Sequence, residues 1–261
     1  MAGSVICVLE TVSVPFGYND NSEEVDPKIS LLASKQLSDT FGALISISHA
    51  ERNVVDEGNS TVRWSSAEPF ASYIGTDANK SLAETDGKFH PRIPRYDSYT
   101  HTIERTGAAI TLQFQPTDTT DIVLDVLHSK HSATRNEVFM QGVGNSAGIV
   151  AGYNVRDYEI AGNTLVYADI PNATLRAENR YDELSTDFNQ ITLNVEHELS
   201  DKLRVNGLIG TSKSEHNNPI QNTVIMQADG VGLAWDYRGG HGDTILTFGE
   251  GAYDAASWVM G

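Results

Sequence analysis

The chain has a single cysteine, Cys7, which excludes an intrachain disulfide framework and a cysteine-based zinc site. Cys7 itself reads as a small buried apolar residue. Basic residues are scarce: 18 Lys and Arg stand against 35 Asp and Glu, a formal charge of −17. Binding a phosphate backbone draws on a Lys/Arg surplus, so nucleic acid is not expected as a partner. No apolar run approaches the roughly 18 residues of a membrane-crossing helix. The opening MAGSVICVLE carries no basic stretch and no clear cleavage site, so a signal peptide is not recognisable. No G-x-S-x-G elbow occurs and nothing marks a nucleophile, so no enzyme activity and no cofactor are expected.

What is present is alternation. Apolar residues sit in short blocks, and three of those blocks run into a turn containing Ser-Asp or Thr-Asp. The turns are Leu37-Ser38-Asp39-Thr40, Pro116-Thr117-Asp118-Thr119 and Leu199-Ser200-Asp201-Lys202, at nearly even spacing along the chain. Ser, Thr and Asp side chains bond to nearby backbone in turns, and Pro fixes φ. On either side the period is two. Ile110, Leu112 and Phe114 alternate with Thr111, Gln113 and Gln115. Ile122, Leu124 and Val126 alternate with Asp121, Val123 and Asp125. Ile191, Leu193 and Val195 alternate with Thr192, Asn194 and Glu196, and Leu203, Val205 and Ile209 oppose Arg204, Asn206 and Ser212. In the first hairpin Ile29, Leu31 and Ala33 share a face, as do Phe41, Ala43, Ile45 and Ile47. The Thr, Val and Ile content favours strands over helices.

Each alternating stretch is roughly 9–11 residues long, the length of a tilted strand that crosses a bilayer. A soluble sheet directs its polar face at water, and a large barrel directs it at a wet lumen; alternation alone fits both. Long polar stretches near 52–97 and 135–180 separate the hairpins. Structureless loops of that length are uncommon in compact domains, whereas outer-membrane barrels carry them on one side, opposite short turns. Arg95-Tyr96-Asp97 and Arg180-Tyr181-Asp182 introduce the second and third hairpins. Tyr96, Tyr99 and Tyr181 therefore read as an aromatic girdle, against a plain reading of local Arg–Asp pairs on a soluble surface. Trp64, Tyr73, Phe139, Tyr153, Tyr158 and Tyr167 are candidate solute contacts in the loops, or packing groups within them. Residues 1–27 read as a partial strand and loop. Thr223–Met226 reads as a strand, and Trp235–Gly240 as loop or further wall.

Other motifs take their plainer reading. His128 and His131 are spaced H-x-x-H, but positions i and i+3 of a strand face opposite ways, so a shared metal is not expected. Gln141-Gly142-Val143-Gly144-Asn145 lacks the strand and helix of a phosphate loop, and with Gly148 it reads as loop. Asn172-Ala173-Thr174 matches a glycosylation acceptor but carries no weight in a bacterial chain. Glu23-Glu24 and Asp56-Glu57 lack Ca²⁺-loop spacing and read as solvated charge.

The hairpin sequences resemble the barrel of TonB-dependent outer-membrane receptors, in particular the large group of Caulobacter- and Sphingomonas-like proteobacteria. The matching stretches are DPKISLLASKQLSDTFGALISISHAERN (26–53), STVRW (60–64), PRIPRYDSYTHTIERTGAAITLQFQPTDTTDIVLDVLHSKHSATRNE (91–137), RYDELSTDFNQITLNVEHELSDKLRVNGLIGTSKSE (180–215) and NPIQNTV (218–224), a little over half the chain. RIPRYDSY and RYDELST are the more specific pieces. The resemblance implies a 22-stranded barrel around an N-terminal plug. It also implies TonB-driven uptake of a scarce bulky solute: an iron–siderophore, a corrinoid or an oligosaccharide. No plug, TonB-contacting box or terminal aromatic residue is found. The expectation is thus an all-β, antiparallel up-and-down transmembrane barrel segment, an incomplete barrel of about six to eight strands forming a curved sheet. Its wall spans 28–261, in the outer membrane of a Gram-negative bacterium, with lipid, lipopolysaccharide, solute and, through a plug, the TonB complex as partners. A mid-barrel segment of this kind is expected not to transport alone. A passive porin-like or adhesin barrel and a soluble secreted carbohydrate-binding β-sandwich are the alternatives.

Overall fold

The computed structural model describes residues 9–66, 69–144, 150 and 152–261; Cys7, Asn145 and Gly148 lie outside them. The described residues are all-β, with short 3-10 turns and no α-helix. In chain order the strands are β1 (Leu9–Ser13), β2 (Phe16–Asn19), β3 (Glu24–Ser38), β4 (Phe41–Ser60), β5 (Trp64–Ser66), β6 (Ser72–Tyr73), β7 (Phe89–Pro91), β8 (Arg95–Thr117) and β9 (Thr120–Val143). There follow β10 (Asn154–Val155), β11 (Asp157–Ala161), β12 (Thr164–Ile170), β13 (Thr174–Ser200), β14 (Leu203–Ala228), β15 (Leu233–Asp236), β16 (Ile245–Phe248) and β17 (Val259–Met260).

The larger sheet has nine strands, in the order β1-β3-β4-β8-β9-β13-β14-β17 with β2 beside β3, and its path is open, not closed into a barrel. It exceeds the expected six to eight because the 1–27 segment supplies both β1 and β2. The three expected hairpins are present, joined by the two-residue turns Asp39-Thr40, Asp118-Thr119 and Asp201-Lys202. The residue before each Asp supplies the local bond. Ser38 Oγ accepts from Thr40 N–H at 3.3 Å and Ser200 Oγ from Lys202 N–H at 3.4 Å. Thr117 Oγ1 meets the Thr119 and Thr120 hydroxyls at 3.2 and 2.9 Å. A bulge between Gln36 and Ser38 adjusts the first hairpin, giving it local twist.

Two compact units emerge. The first comprises 1–55, 100–135 and 182–221; the second comprises 56–99, 136–181 and 222–261. The stretches near 52–97 and 135–180 are not structureless. β4, β8, β9 and β13 run into them, and β5, β6, β7, β10, β11 and β12 lie within them. These segments carry no clean alternation because many of their residues are buried in a compact core, where strands covered on both sides lose it.

In the second unit a six-stranded sheet runs β16-β15-β12-β7-β5, with β11 on β12. Its register sets Ala168 opposite Trp235 and Ile170 opposite Leu233, all essentially buried. Trp235 Nε1 donates to the Leu165 carbonyl at 3.2 Å, which satisfies the one polar atom of the buried indole. Gly249 is required by close approach: a Cβ there would lie 1.7 Å from the Val231 carbonyl oxygen. Among the described residues, the whole buried hydrophobic cluster, from Phe70 to Ala252, belongs to this unit.

All three tryptophans, Trp64, Trp235 and Trp258, lie in the second unit, so their fluorescence reports its unfolding alone. Leu165 is 1% exposed. Leu165→Ala is expected to lower stability by about 2–5 kcal/mol, read as a drop in the fluorescence denaturation midpoint.

Candidate functional site: an apolar band and aromatic cavities

Alternation gives each strand of the first unit two faces, and the register aligns them. Val12 lies opposite Leu31, Leu31 opposite Ile47 and Ala33 opposite Ile45. Between β4 and β8, the Gln115 N–H to Thr40 carbonyl bond and the His49–Thr106 contact step along one antiparallel register. That register puts the face of Ile45 and Ile47 beside the face of Ile110, Leu112 and Phe114. Between β9 and β13, the Glu198 N–H to Thr119 carbonyl bond, Thr120–His197 and His128–Asn189 do the same. There Ile122, Leu124 and Val126 join Ile191, Leu193 and Val195.

This face is apolar and uncovered. Leu31 is 47% exposed, Ile47 49% and Ile191 49%, with Ile110, Phe114, Leu203 and Val205 similarly open. Glu10 and Lys35 are charged interruptions on β1 and β3. Polar pairs lie at the far end on β4, β8, β9 and β13, and at the turn end on β9 and β13, where Leu199 and Leu203 continue the apolar face towards the turn. At the turn end, Thr120 Oγ1 and His197 Nδ1 share a hydrogen bond of 2.8 Å. At the far end, His49 Nδ1 meets Thr106 Oγ1 at 3.0 Å and His128 Nδ1 meets Asn189 Oδ1 at 2.8 Å. Beyond them the same face turns polar, with Thr102, Glu104, Ser132, Thr134, Glu183 and Ser185 lining a shallow cavity of about 310 Å³. From Thr120 to His128 the strand rises about 27 Å.

The opposite face is polar and cross-linked. Thr111 Oγ1 donates to Asp125 at 2.6 Å, Gln113 Nε2 to Asp121 at 3.0 Å and Asn206 Nδ2 to Asn194 at 2.9 Å. Arg204 pairs with Glu196 at 3.0 Å and with Glu198.

The six loop aromatics divide in two. Tyr158 is buried; its hydroxyl accepts from Ser81 N–H and donates to the Ser81 carbonyl, both at 2.9 Å. Tyr73 packs edge-on against it with centroids 6.0 Å apart. Trp64 packs edge-on against Tyr237 at 5.2 Å, and Tyr153 donates to the Val143 carbonyl at 2.7 Å. These four belong to the core or its margin. Tyr167 and Phe139 line cavities instead. The Tyr167 cavity, about 740 Å³, also takes in Arg156, Asp169, Asp236, Thr247 and Phe248. Arg238 lies over the Tyr167 ring at 4.5 Å and pairs with Asp236 and with Glu159 at 3.2 Å. The Phe139 cavity, about 350 Å³, is lined by Arg95, Tyr99 and the carboxylates of Asp56, Glu57, Asp97 and Glu137, with Arg95 over the Phe139 ring at 4.2 Å.

The girdle tyrosines are placed as follows. Tyr96 lies in the second unit, where its hydroxyl accepts from Leu246 N–H at 2.9 Å and its ring meets Phe248 at 6.1 Å. Tyr99 lines the Phe139 cavity, and Tyr181 is half-buried on β13. The two Arg-Tyr-Asp tripeptides differ: Arg95 pairs with its own Asp97 at 3.0 Å, whereas Asp182, fully buried, takes Arg135 Nε at 2.9 Å. Strand parity is the one sequence signal that sets His49, His128 and His197 on the apolar face.

Electrostatics of the second unit follow its contacts. The hydrogen bond from Lys80 pulls Asp157 below the usual carboxylate range. Burial raises Asp169, with Arg156 opposing. Burial, with Tyr96 nearby, pushes Tyr237 up to about 12. Hydrogen bonding from Arg238 lowers Asp236. His90 is 1% exposed; burial pushes it below its ordinary range, with the Pro91 carbonyl opposing at 3.1 Å.

No family model, curated protein or solved structure matches the chain.

Because His90 is held neutral, the unfolded chain takes up the proton first as pH falls. Its contribution is complete above the ordinary histidine value of about 6.5 and is lost below it. The fluorescence denaturation midpoint is expected to fall between about pH 7.5 and pH 5.5. His90→Gln should flatten that fall; an unchanged slope in the variant would assign it elsewhere.

Proposed function

We propose that this chain is barrel wall of a Gram-negative outer-membrane receptor for TonB-coupled uptake of a scarce bulky solute. The observation that carries the membrane part is the apolar band of the first unit, which along β9 runs between the polar pairs at Thr120 and His128. A strand tilted by about 40° turns its 27 Å into roughly 21 Å of depth, near the ~25 Å apolar belt of outer-membrane barrels. The hydrogen-bonded polar face suits a wet lumen, and short turns at one end of the strands suit the periplasmic side. A soluble sandwich would cover its apolar face with a second sheet; among the described residues of the first unit none does so.

The receptor part rests on the resemblance of the hairpin sequences to TonB-dependent receptors. On this reading the Tyr167 and Phe139 cavities are where an iron–siderophore, corrinoid or oligosaccharide would first be met. Lipid and lipopolysaccharide surround the wall, and energy arrives through a plug that contacts TonB. The wall supplies enclosure and recognition, not transport by itself.

Leu124 lies midway between Thr120 and His128. In detergent micelles Leu124→Arg is expected to cost about 2–4 kcal/mol of folding free energy, and Val123→Arg, on the polar face, below about 1. In buffer without detergent the chain should aggregate through its open edges and bare apolar face. Equal costs for the two arginines, or a monodisperse monomer in plain buffer, would overturn the membrane reading.

A further inference from the structure

The polar face of the first unit is not uniformly charged. Near the two-residue turns it carries Asp121, Asp125, Glu196 and Glu198, with Arg204 as counter-charge. Beyond the level of His128 and Asn189 the sign reverses. Strand parity places Arg52, Arg105, Arg135, His101, His131 and His216 on this face. Two cross-strand contacts support the placement: Arg135 to Asp182 and Thr186 Oγ1 to His216 Nδ1 at 3.0 Å. Arg135, His131 and Arg52 are among the neighbours of His101, and Arg105 and His216 among those of His131. Two carboxylates lie nearby and offset part of this charge. Asp182 is buried against Arg135, and Asp26 Oδ1 accepts from Asn53 N–H at 2.8 Å and from Asn53 Nδ2 at 3.3 Å.

In a chain of net charge −17, Arg52 and Arg105 gathered on one face beside the Asp182-paired Arg135 leave positive charge that an added anion would stabilise. Guanidinium groups match the planar fork of carboxylate and phosphate oxygens. Histidines beside them add ring donors without fixed charge.

We infer that this cationic band of the polar face binds an oxyanion, so that the solute handled by the protein carries carboxylate or phosphate groups. The inference rests on the membrane reading for its description of the face as a lumen. It narrows the solute classes: a polycarboxylate chelate or an acidic oligosaccharide fits, and a neutral sugar does not. Arg52 and Arg105 are exposed and free to reorient towards a ligand, whereas Arg135 is held in place by Asp182.

The test is calorimetric titration of the chain in detergent micelles at low salt, with citrate and inorganic phosphate as probes and uncharged triethyl citrate as control. Citrate or phosphate should bind and triethyl citrate should not. Arg52→Gln combined with Arg105→Gln should weaken binding roughly tenfold or more. Arg204→Gln, at the turn end, should leave it within about twofold. Absence of binding by both anions, or equal affinity in the double variant, would overturn the inference. The titration does not depend on which face meets lipid. Failure here with the Leu124→Arg and Val123→Arg contrast intact removes the oxyanion reading alone. Loss of that contrast with anion binding intact removes the membrane reading alone.

Discussion

A strand with period two must place every second side chain on the same side, and in the first unit that side is Ile, Leu, Val and Phe. Fully covering one such side chain contributes about 1.5–3 kcal/mol. About a dozen are roughly half exposed, so the benefit left unrealised in water is on the order of 10 kcal/mol, comparable to the whole stability of a typical domain. A sheet with so much bare apolar surface requires an occupant. On β9 and β13 the band runs between the Thr120–His197 and His128–Asn189 pairs, the feature that the proposed lipid contact draws on.

The second unit obeys the opposite rule. Its buried apolar residues gather around Trp235, Leu165, Ile170 and Leu175, and its surface mixes ion pairs such as Arg156–Asp169 and Arg238–Glu159 with exposed apolar residues such as Ile245 and Val259. It is stabilised as ordinary globular proteins are, by burial and by satisfaction of the few polar atoms taken inside. Four of the six loop aromatics serve that core, leaving Tyr167 and Phe139 to line cavities. One chain thus contains two solutions to the same problem: a core that excludes water, and a face that depends on something else to exclude it.

How much of this was legible in the sequence depended on distance along the chain. The hairpins were, because turn and flanking strands are adjacent and each leaves its own mark: a hydroxyl before Asp at the turn, and alternation on either side. Ser38, Thr117 and Ser200 bond as that pattern requires. The second unit was not, because its pairings join remote segments, such as Phe89 with Thr164 and Tyr167 with Asp236. Short buried strands carry no period that separates them from loop. The sequence supplied the aromatic residues, but which ones faced inward depended on those remote pairings. The cationic band was invisible for a related reason: Arg52, Arg105 and Arg135 are far apart in sequence and meet only through strand register, inside a chain whose overall charge points the other way.

On the proposed reading the apolar face of β9 meets lipid between Thr120 and His128, and labelling depth along that strand reads this out. With Cys7 replaced by Ser, single cysteines are introduced in turn from Asp121 to His128, labelled with a polarity-sensitive fluorophore, and quenched by nitroxide-bearing lipid in bicelles. Quenching should alternate with period two, strong at 122, 124 and 126 and weak at 121, 123 and 125, and should fall away at 128. Uniform quenching along the strand, or none at 122, 124 and 126, would contradict it.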